Sequence, residues 1–516
     1  MKPTREAGAP NGILDTLKAC EEAPEALETK PTENAASIVF DLAWPAVALN
    51  SLQVVNNVLD RAFLGRLSAS AIAGQSASMN VTFFVFSCIM ALATAPTALV
   101  SRAYGAGDHK EMKTAARKCM SMSLYLGILL GGFTALVAVP TARLLLPSTD
   151  PEAIRFMGKY LMVYAVALPA ISIINNLAAA LRAIGDTRSP MVLSGIQILL
   201  HMTLNVSLIF PTRDVAFLGF LHFQMPGANM GLMGAATALA TSSWVSAIVY
   251  LAYSKRTPLG ACWRFGVVAV SWVWRILRIA FPATVNGSIR VFSMLLFTLI
   301  LKNTPEGSAA IAAMALGFAI ESIMFMPSAG LSMAAAALVG QSLGMGKPER
   351  AAKLGWMAAH MAGLITLAFC IPLFLGAYGI AGVMSPGKAD IIRQTALVIQ
   401  SVCATEVAFA YFSVTVGAMQ GAGDTVRPIW ITICTLWFLR IPLGAYLSLQ
   451  VMRLAFDRTM AFPFHIPPLH LAADVSVAGL GIGALGSWIA MSVSQFAQGV
   501  FGVILFQRGG WKLRRV

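Results

Sequence analysis

Apolar residues run through this chain in blocks of about twenty, the length needed to cross a hydrocarbon core. Positions 81–99, 124–139 and 357–380 are examples. A helix on the surface of a soluble domain would break such blocks with a polar face every three or four residues. The blocks are rich in Gly, Ala, Ser and Leu, and small residues let helices approach closely in lipid. Short strands of alternating polarity, the mark of an outer-membrane barrel, are absent from the pattern. The pattern predicts an all-α polytopic membrane protein with twelve transmembrane helices. They fall at 36–63, 75–101, 112–139, 153–179, 190–210, 231–253, 275–301, 310–338, 353–383, 391–419, 428–451 and 479–506.

Composition supports that reading: 57% of the 516 residues are hydrophobic and only 12% charged, against about a quarter charged in a soluble domain. A net charge of +14 raises nucleic acid as a partner, but the basic residues sit at the ends of apolar blocks rather than on one surface. With the N-terminus inside, most Lys and Arg lie on the cytoplasmic side, which places both termini in the cytoplasm of an inner (plasma) membrane. The expected organisation is a polar N-terminal tail at 1–34 and a first lobe at 35–254. A cytoplasmic linker at 255–274, a second lobe at 275–506 and a basic tail at 507–516 follow. The first 34 residues have no apolar core or cleavage site and are not read as a signal peptide. Cys20, Cys88, Cys119, Cys262, Cys370, Cys403 and Cys434 are scattered, with no CxxC pair or metal-ligand spacing, so packing is their expected role.

A long-period repeat carries the most information. Trp44-Pro45-Ala46 recurs as Phe281-Pro282-Ala283, and Val100-Ser-Arg-Ala-Tyr-Gly105-Ala-Gly107 as Val339-Gly-Gln-Ser-Leu-Gly344-Met-Gly346. Gly185-Asp-Thr-Arg-Ser-Pro190 recurs as Gly423-Asp-Thr-Val-Arg-Pro428. The spacings are 237, 239 and 238 residues, in the same chain order. Gly231-Leu-Met-Gly234 is echoed, after an insertion, by Gly483-Ala-Leu-Gly486. Six helices per half give the halves one orientation, related by an axis along the membrane normal. Such parallel repeats are a transporter architecture. The glycine turns are not phosphate loops. Before Gly346-Lys347 the required glycine is Gln341, and Pro348 stands where Ser or Thr is needed. No nucleophile, metal or nucleotide constellation is visible, so an enzyme is not expected, nor any cofactor beyond a transported ion.

These residues resemble one family. Trp44-Pro45, Val54-Val-Asn-Asn-Val-Leu-Asp60, Phe63-Leu-Gly65 and Ala69-Ser-Ala-Ile-Ala73 are similar to the first helix and turn of the multidrug and toxic compound extrusion (MATE) family. The Gly105-Ala-Gly107, Leu181–Pro190 and Met419–Pro428 stretches are similar to its recurring loops. The resemblance covers about residues 40 to 506. It implies a V-shaped, twelve-helix antiporter of two six-helix lobes that exports organic cations or amphipathic compounds against inward protons or sodium.

A charge near the bilayer centre costs roughly 2.5–3.5 kcal/mol on insertion scales, so it is a functional candidate by default. Asp60 shares one face of its helix with Gln53, Asn56 and Asn57. A carboxylate beside amide oxygens suits sodium, and a partly buried carboxylate suits a proton; a solvated, capped Asp at the outer helix end is the plainer reading. By resemblance, Asp60 matches the first-helix Asp used for cation coupling. His201 and Asn205 lie one turn apart on the fifth helix, where some proton-driven relatives have a second acid in place of Asn205. Asn176, with Asn175, either completes that cluster or joins helices. In the second half, Arg290 stands where several relatives have an acid; it either forms a structural ion pair with Glu321 or Glu406 or belongs to an anion-tolerant pocket. Arg440 raises the same question. With Met324, these residues are the candidates for a substrate cavity, although Met there is also ordinary core filler.

The expectation is a monomeric antiporter whose coupling ion binds at Asp60 in the first lobe. Its partners are a small-molecule substrate and membrane lipid. A flippase for a lipid-linked precursor is the alternative, kept open by Arg290 and Arg440, because a phosphate headgroup needs cationic partners. A non-transporting membrane protein leaves the intramembrane acids unexplained. The external loops 211–229 and 452–478, with His222, His465 and His470, are longer than a turn requires.

Overall fold

The computed structural model describes residues 34–514 apart from 218–220, 261, 263 and 461–468. Most of the N-terminal tail, with Cys20, lies outside the described residues, as do His465 and Arg515. Among the described residues are twelve helices long and apolar enough to span a membrane. In the first half these are α1 (Ala35–Leu64), α2 (Ala69–Leu92) continued by α3 (Thr94–Gly105), α4 (His109–Leu145), α5 (Pro151–Ala183), α6 (Arg188–Ile209) and α7 (Leu232–Ser254). The second half has α8 (Val270–Lys302), α9 (Gly307–Gly344), α10 (Pro348–Leu375) with the short α11 (Ala377–Met384), and α12 (Ala389–Gly421). Then come α13 (Val426–Thr432), a π-helical segment (Ile433–Arg440), α14 (Ile441–Ser448) and finally α15 (Ala484–Gln507).

The repeat in the sequence is a repeat in the backbone. Gly107 and Gly346 both turn the chain at positive φ (72° and 69°), as do Gly185 and Gly423 (94° and 81°) and Gly231 and Gly483 (54° and 67°). These are conformations that L side chains rarely adopt, so the repeated glycines mark the repeated turns. Aspartates beside them cap the next helices: Asp108 accepts from the Glu111 amide at 2.8 Å and Asp186 from that of Ser189 at 3.0 Å.

Two features differ from the sequence expectation. The long loops before the last helix of each half are antiparallel hairpins. One pairs β1 (Pro211–Phe217) with β2 (Leu221–Ala228), and the other pairs β3 (Val451–Met460) with β4 (Leu469–Ala478). Their strands are too short, and too little alternating, to stand out beside twenty-residue apolar blocks. The eleventh span is not one regular helix either, because the π-helical segment separates α13 from α14. A shift to i→i+5 bonding is set by packing, which no propensity reports.

The two six-helix lobes exchange the first halves of their first helices. Val39 and Ala43 of α1 are buried among Leu331, Leu338, Phe409 and Phe412 of the second lobe. Reciprocally, Ile276, Ile279 and Ala280 of α8 are buried among Leu99, Met112 and Leu177 of the first. The far half of α1 returns to its own lobe, with Leu64 beside Ala71, Ile209 and Leu232; that of α8 does the same, with Phe297 and Leu301 beside Trp488 and Met491. The lobes therefore meet at the end of the bundle that holds the 254–270 connector, and diverge as a V toward the hairpins. At the meeting end the backbones nearly touch. A Cβ on Gly344 would overlap the Arg102 carbonyl oxygen, and one on Gly105 would overlap that of Gln341. The Gln341 side chain crosses the seam and donates from Nε2 to the Ala183 carbonyl at 2.9 Å.

Candidate functional site

In the first lobe α1 packs against α6 near the hairpin end, and this brings Asp60 and Asn205 together. Asn205 Nδ2 donates to Asp60 Oδ1 at 2.6 Å, and Asn56 Nδ2 donates to Asp60 Oδ2 at 3.4 Å. His201 Nδ1 lies 3.2 Å from Asn56 Oδ1 and 4.0 Å from Asp60 Oδ1. Since an amide oxygen only accepts, the His201 nitrogen facing it carries the proton. Each carboxylate oxygen of Asp60 thus receives one amide N–H, and His201 steadies one of the donors from behind. Asn56, His201 and Asn205 are buried, whereas Asp60 keeps about a quarter of its side chain accessible (28%). Asn205 Oδ1 is buried with no hydrogen-bond partner among the described residues, and it belongs to the amide that bonds the carboxylate. A partly accessible carboxylate with a spare amide oxygen beside it can take up a proton or a hard cation.

The remaining first-lobe candidates lie elsewhere. Gln53 and Asn57 share the helix but are exposed. Asn176 is buried on α5, where its Nδ2 donates to Ser123 Oγ at 2.6 Å and the Cys119 carbonyl at 3.3 Å. It joins α5 to α4 and makes no contact with Asp60. Asn175 returns its amide to its own helix, at Ile171, 2.9 Å away.

In the second lobe the polar residues sit between α9, α12, α15 and the π segment. Gln495 Nε2 donates to Glu321 Oε1 at 3.3 Å and its Oε1 accepts from Thr405 at 3.0 Å. Arg440 closes the π segment and donates from Nε to Ser494 Oγ at 2.6 Å, with its guanidinium 5.9 Å from the centre of the Phe297 ring. The pairing of Arg290 with Glu321 or Glu406 is not made within ion-pair distance. Its guanidinium instead lies over the Phe409 ring at 5.6 Å, a cation–π contact. Glu406 is buried, and its Oε2 has no hydrogen-bond partner among the described residues. Met324 is fully buried, its sulfur 3.5 Å from Cys370 Sγ and 3.8 Å from Cys403 Sγ, so it is part of the packed interior. Sequence reasoning missed Thr405, Ser494 and Gln495; the signal was available, since Ser492, Ser494, Gln495 and Gln498 interrupt an otherwise apolar block.

Twelve spanning helices in two repeat-related lobes, with a carboxylate held inside one of them, define a membrane transporter rather than an enzyme. The MatE family model matches residues 45–207 and 282–446, one match in each half. The chain therefore belongs to the MatE family. It is 28% identical over 489 residues to the probable multidrug resistance protein NorM of Thermotoga maritima, covering 93% of both chains. Among solved structures it is similar to a MATE protein crystallised in complex with MaL6 (TM-score 0.77, 17% identity, 92% of this chain and 96% of that one). A MOP superfamily transporter from Pyrococcus furiosus shares the fold at a TM-score of 0.75 and 19% identity, over 94% of this chain and 98% of that one.

Proposed function

We propose that this protein is an ion-driven antiporter of the inner (plasma) membrane that exports organic cations, drugs or amphipathic metabolites in exchange for inward protons or sodium. The multidrug resistance named for its relatives supports the substrate class. The observation that carries the mechanism is the Asp60 carboxylate, bound by Asn205 at 2.6 Å beside an unpartnered buried amide oxygen. Arrival of a proton or sodium ion neutralises that carboxylate and changes what Asn205 and Asn56 can donate to. Those amides link α1 to α6, so the first lobe feels the loading state of Asp60. A ligand moves an equilibrium only by its differential affinity for the two states. The bound ion therefore favours one lobe arrangement and substrate the other. Lobes at 35–254 and 275–506 rock about the connector-end seam, which faces the cytoplasm together with both termini, and the chain acts as a monomer.

The test is efflux of a fluorescent organic cation from proteoliposomes holding the purified protein, under a proton gradient and separately under a sodium gradient. Efflux driven by one gradient names the ion; no efflux under either, with folded protein, overturns the antiporter.

One observation favours a second reading, a flippase for a lipid-linked precursor. Arg290 and Arg440 place two guanidiniums in the second lobe with no ion pair to Glu321 or Glu406, and a phosphate headgroup needs such donors. The Pyrococcus furiosus neighbour is described as having a binding pocket of reverse polarity that suggests a different function. Gradient-independent movement of a lipid-linked phosphate probe, lost in Arg290→Gln, would select this reading.

A further inference from the structure

The end of the bundle where the lobes meet carries a cleft that the transport cycle above does not use. It is open, has a volume of about 140 Å³, and is lined by Ser271, Trp274, Arg275, Arg278, Gly423 and Arg514. Three arginines thus line it, with no carboxylate among the lining residues. Glu111 of α4 pairs with Arg275 from one side, and Asp424, next to Gly423, is engaged by Arg427. Arg278 and Arg514 are in no ion pair among the described residues. Holding like charges together is unfavourable unless an anion offsets it.

The third arginine is delivered by a built element. After α15 the chain turns at Gly509 (φ 69°) into a 3-10 turn, Gly510–Leu513. Trp511 there is fully buried, stacks on Phe506 with ring centres 4.8 Å apart, and donates from Nε1 to the Phe506 carbonyl at 2.8 Å. Lys512 reaches Glu349 at 2.9 Å. These contacts fix the strap that places Arg514 at the cleft.

The surroundings identify what kind of anion fits. Val267, Val270, Trp274 and Phe281 are 87%, 83%, 72% and 65% exposed, and they form an apolar strip beginning beside the cleft. α8 has 33 residues, roughly 50 Å against a hydrocarbon core of about 30 Å, so its first turns rise into the headgroup layer. Trp at that depth is the usual interfacial anchor. Cations in the headgroup layer beside an exposed apolar strip match a phosphate ester that carries acyl chains.

We propose that this cleft binds the phosphate headgroup of an anionic phospholipid, with Arg278 and Arg514 as its principal ligands and Trp274 against the acyl-chain region. The headgroup bridges the lobes, because Ile279 of α8 is packed into the first lobe while Gly423 and the strap belong to the second. Bound lipid then stabilises the arrangement in which the connector ends meet. The inference does not depend on which substrate is exported.

The test is thermal unfolding of the full chain in a neutral detergent, titrated with short-chain phosphatidylglycerol, with phosphatidylcholine of the same chain length, and with inorganic phosphate. Phosphatidylglycerol is expected to raise the midpoint saturably, and the other two are not. Arg278→Gln/Arg514→Gln is expected to keep the lipid-free midpoint and weaken the phosphatidylglycerol response about tenfold or more, the scale of a lost charge-assisted hydrogen bond. Arg514→Gln alone, at the end of the strap, gives the same readout if the double variant does not fold. A response to phosphatidylglycerol unchanged in these variants overturns the site; an equal response to inorganic phosphate overturns the lipid as its ligand.

Discussion

The two lobes share a scaffold but not their charges. α5 and α12 have the same length and lie 238 residues apart, and three pairs of glycines turn the chain at corresponding places. Yet at the matching spacings Asp60 is answered by Phe297, Asn205 by Leu443 and Glu406 by Leu168. Gln53, eight residues after Pro45, is answered by Arg290, eight after Pro282. The helix that carries Asn205 is regular in the first lobe, whereas its counterpart contains the π-helical segment that ends at Arg440. Backbone turns and close contacts constrain both halves alike, because both must pack and reorient about one seam. Charged groups are free to diverge, since a single ion site is enough to bias a two-state movement. We therefore place coupling in the first lobe and read the second-lobe charges as pocket and packing features.

The comparison can be broken most severely at Asp60. Asp60→Asn is expected to reduce gradient-driven efflux to the level of protein-free liposomes, whereas Glu406→Gln, in the other lobe, keeps it within a few-fold of wild type. Asn205→Leu gives the first lobe the residue its repeat partner already has. Losing a hydrogen bond to a charged group costs about 1.5–3 kcal/mol, so the affinity for the driving ion should shift by roughly ten- to a hundredfold: tighter for a proton, because Asn205 donates to the ionised carboxylate, and weaker for sodium, which loses an amide oxygen, as read from the ion dependence of transport. At the seam, Gly344→Val wedges a side chain against the Arg102 carbonyl and should cost about 1–3 kcal/mol of stability. Gly132→Val, where a Cβ meets nothing within 4 Å, avoids that clash, and thermal unfolding compares the two. The smallest effect on transport is expected for Ser494→Ala, which removes the Arg440 partner. Because that donor is charged, it should lower stability by about 1.5–3 kcal/mol while leaving the ion dependence unaltered.

The sequence announced the twelve spans because apolar length is dictated by the bilayer, and the duplication because the turns need glycine at positive φ. Helix ends were less legible. α8 and α9 run several residues past their apolar blocks, since the polar turns beyond the hydrocarbon are still helical. Asp60, Asn56, His201 and Asn205 stood out as polar residues inside apolar blocks, and helical spacing put Asn56 one turn from Asp60. Which neighbour each faces depends on helix rotation, which sequence does not reveal. That is why Asn176 is found bonded to Ser123, and Met324 beside two cysteines rather than at a cleft.

The most direct test of coupling at Asp60 is ion release on substrate binding. Purified protein in lightly buffered detergent is mixed with a fluorescent organic cation while released protons, or sodium, are followed. Release is expected from wild type and none from Asp60→Asn, with the variant still binding the cation by fluorescence anisotropy. Undiminished release from Asp60→Asn would contradict coupling at Asp60 and move the coupling site to the second lobe.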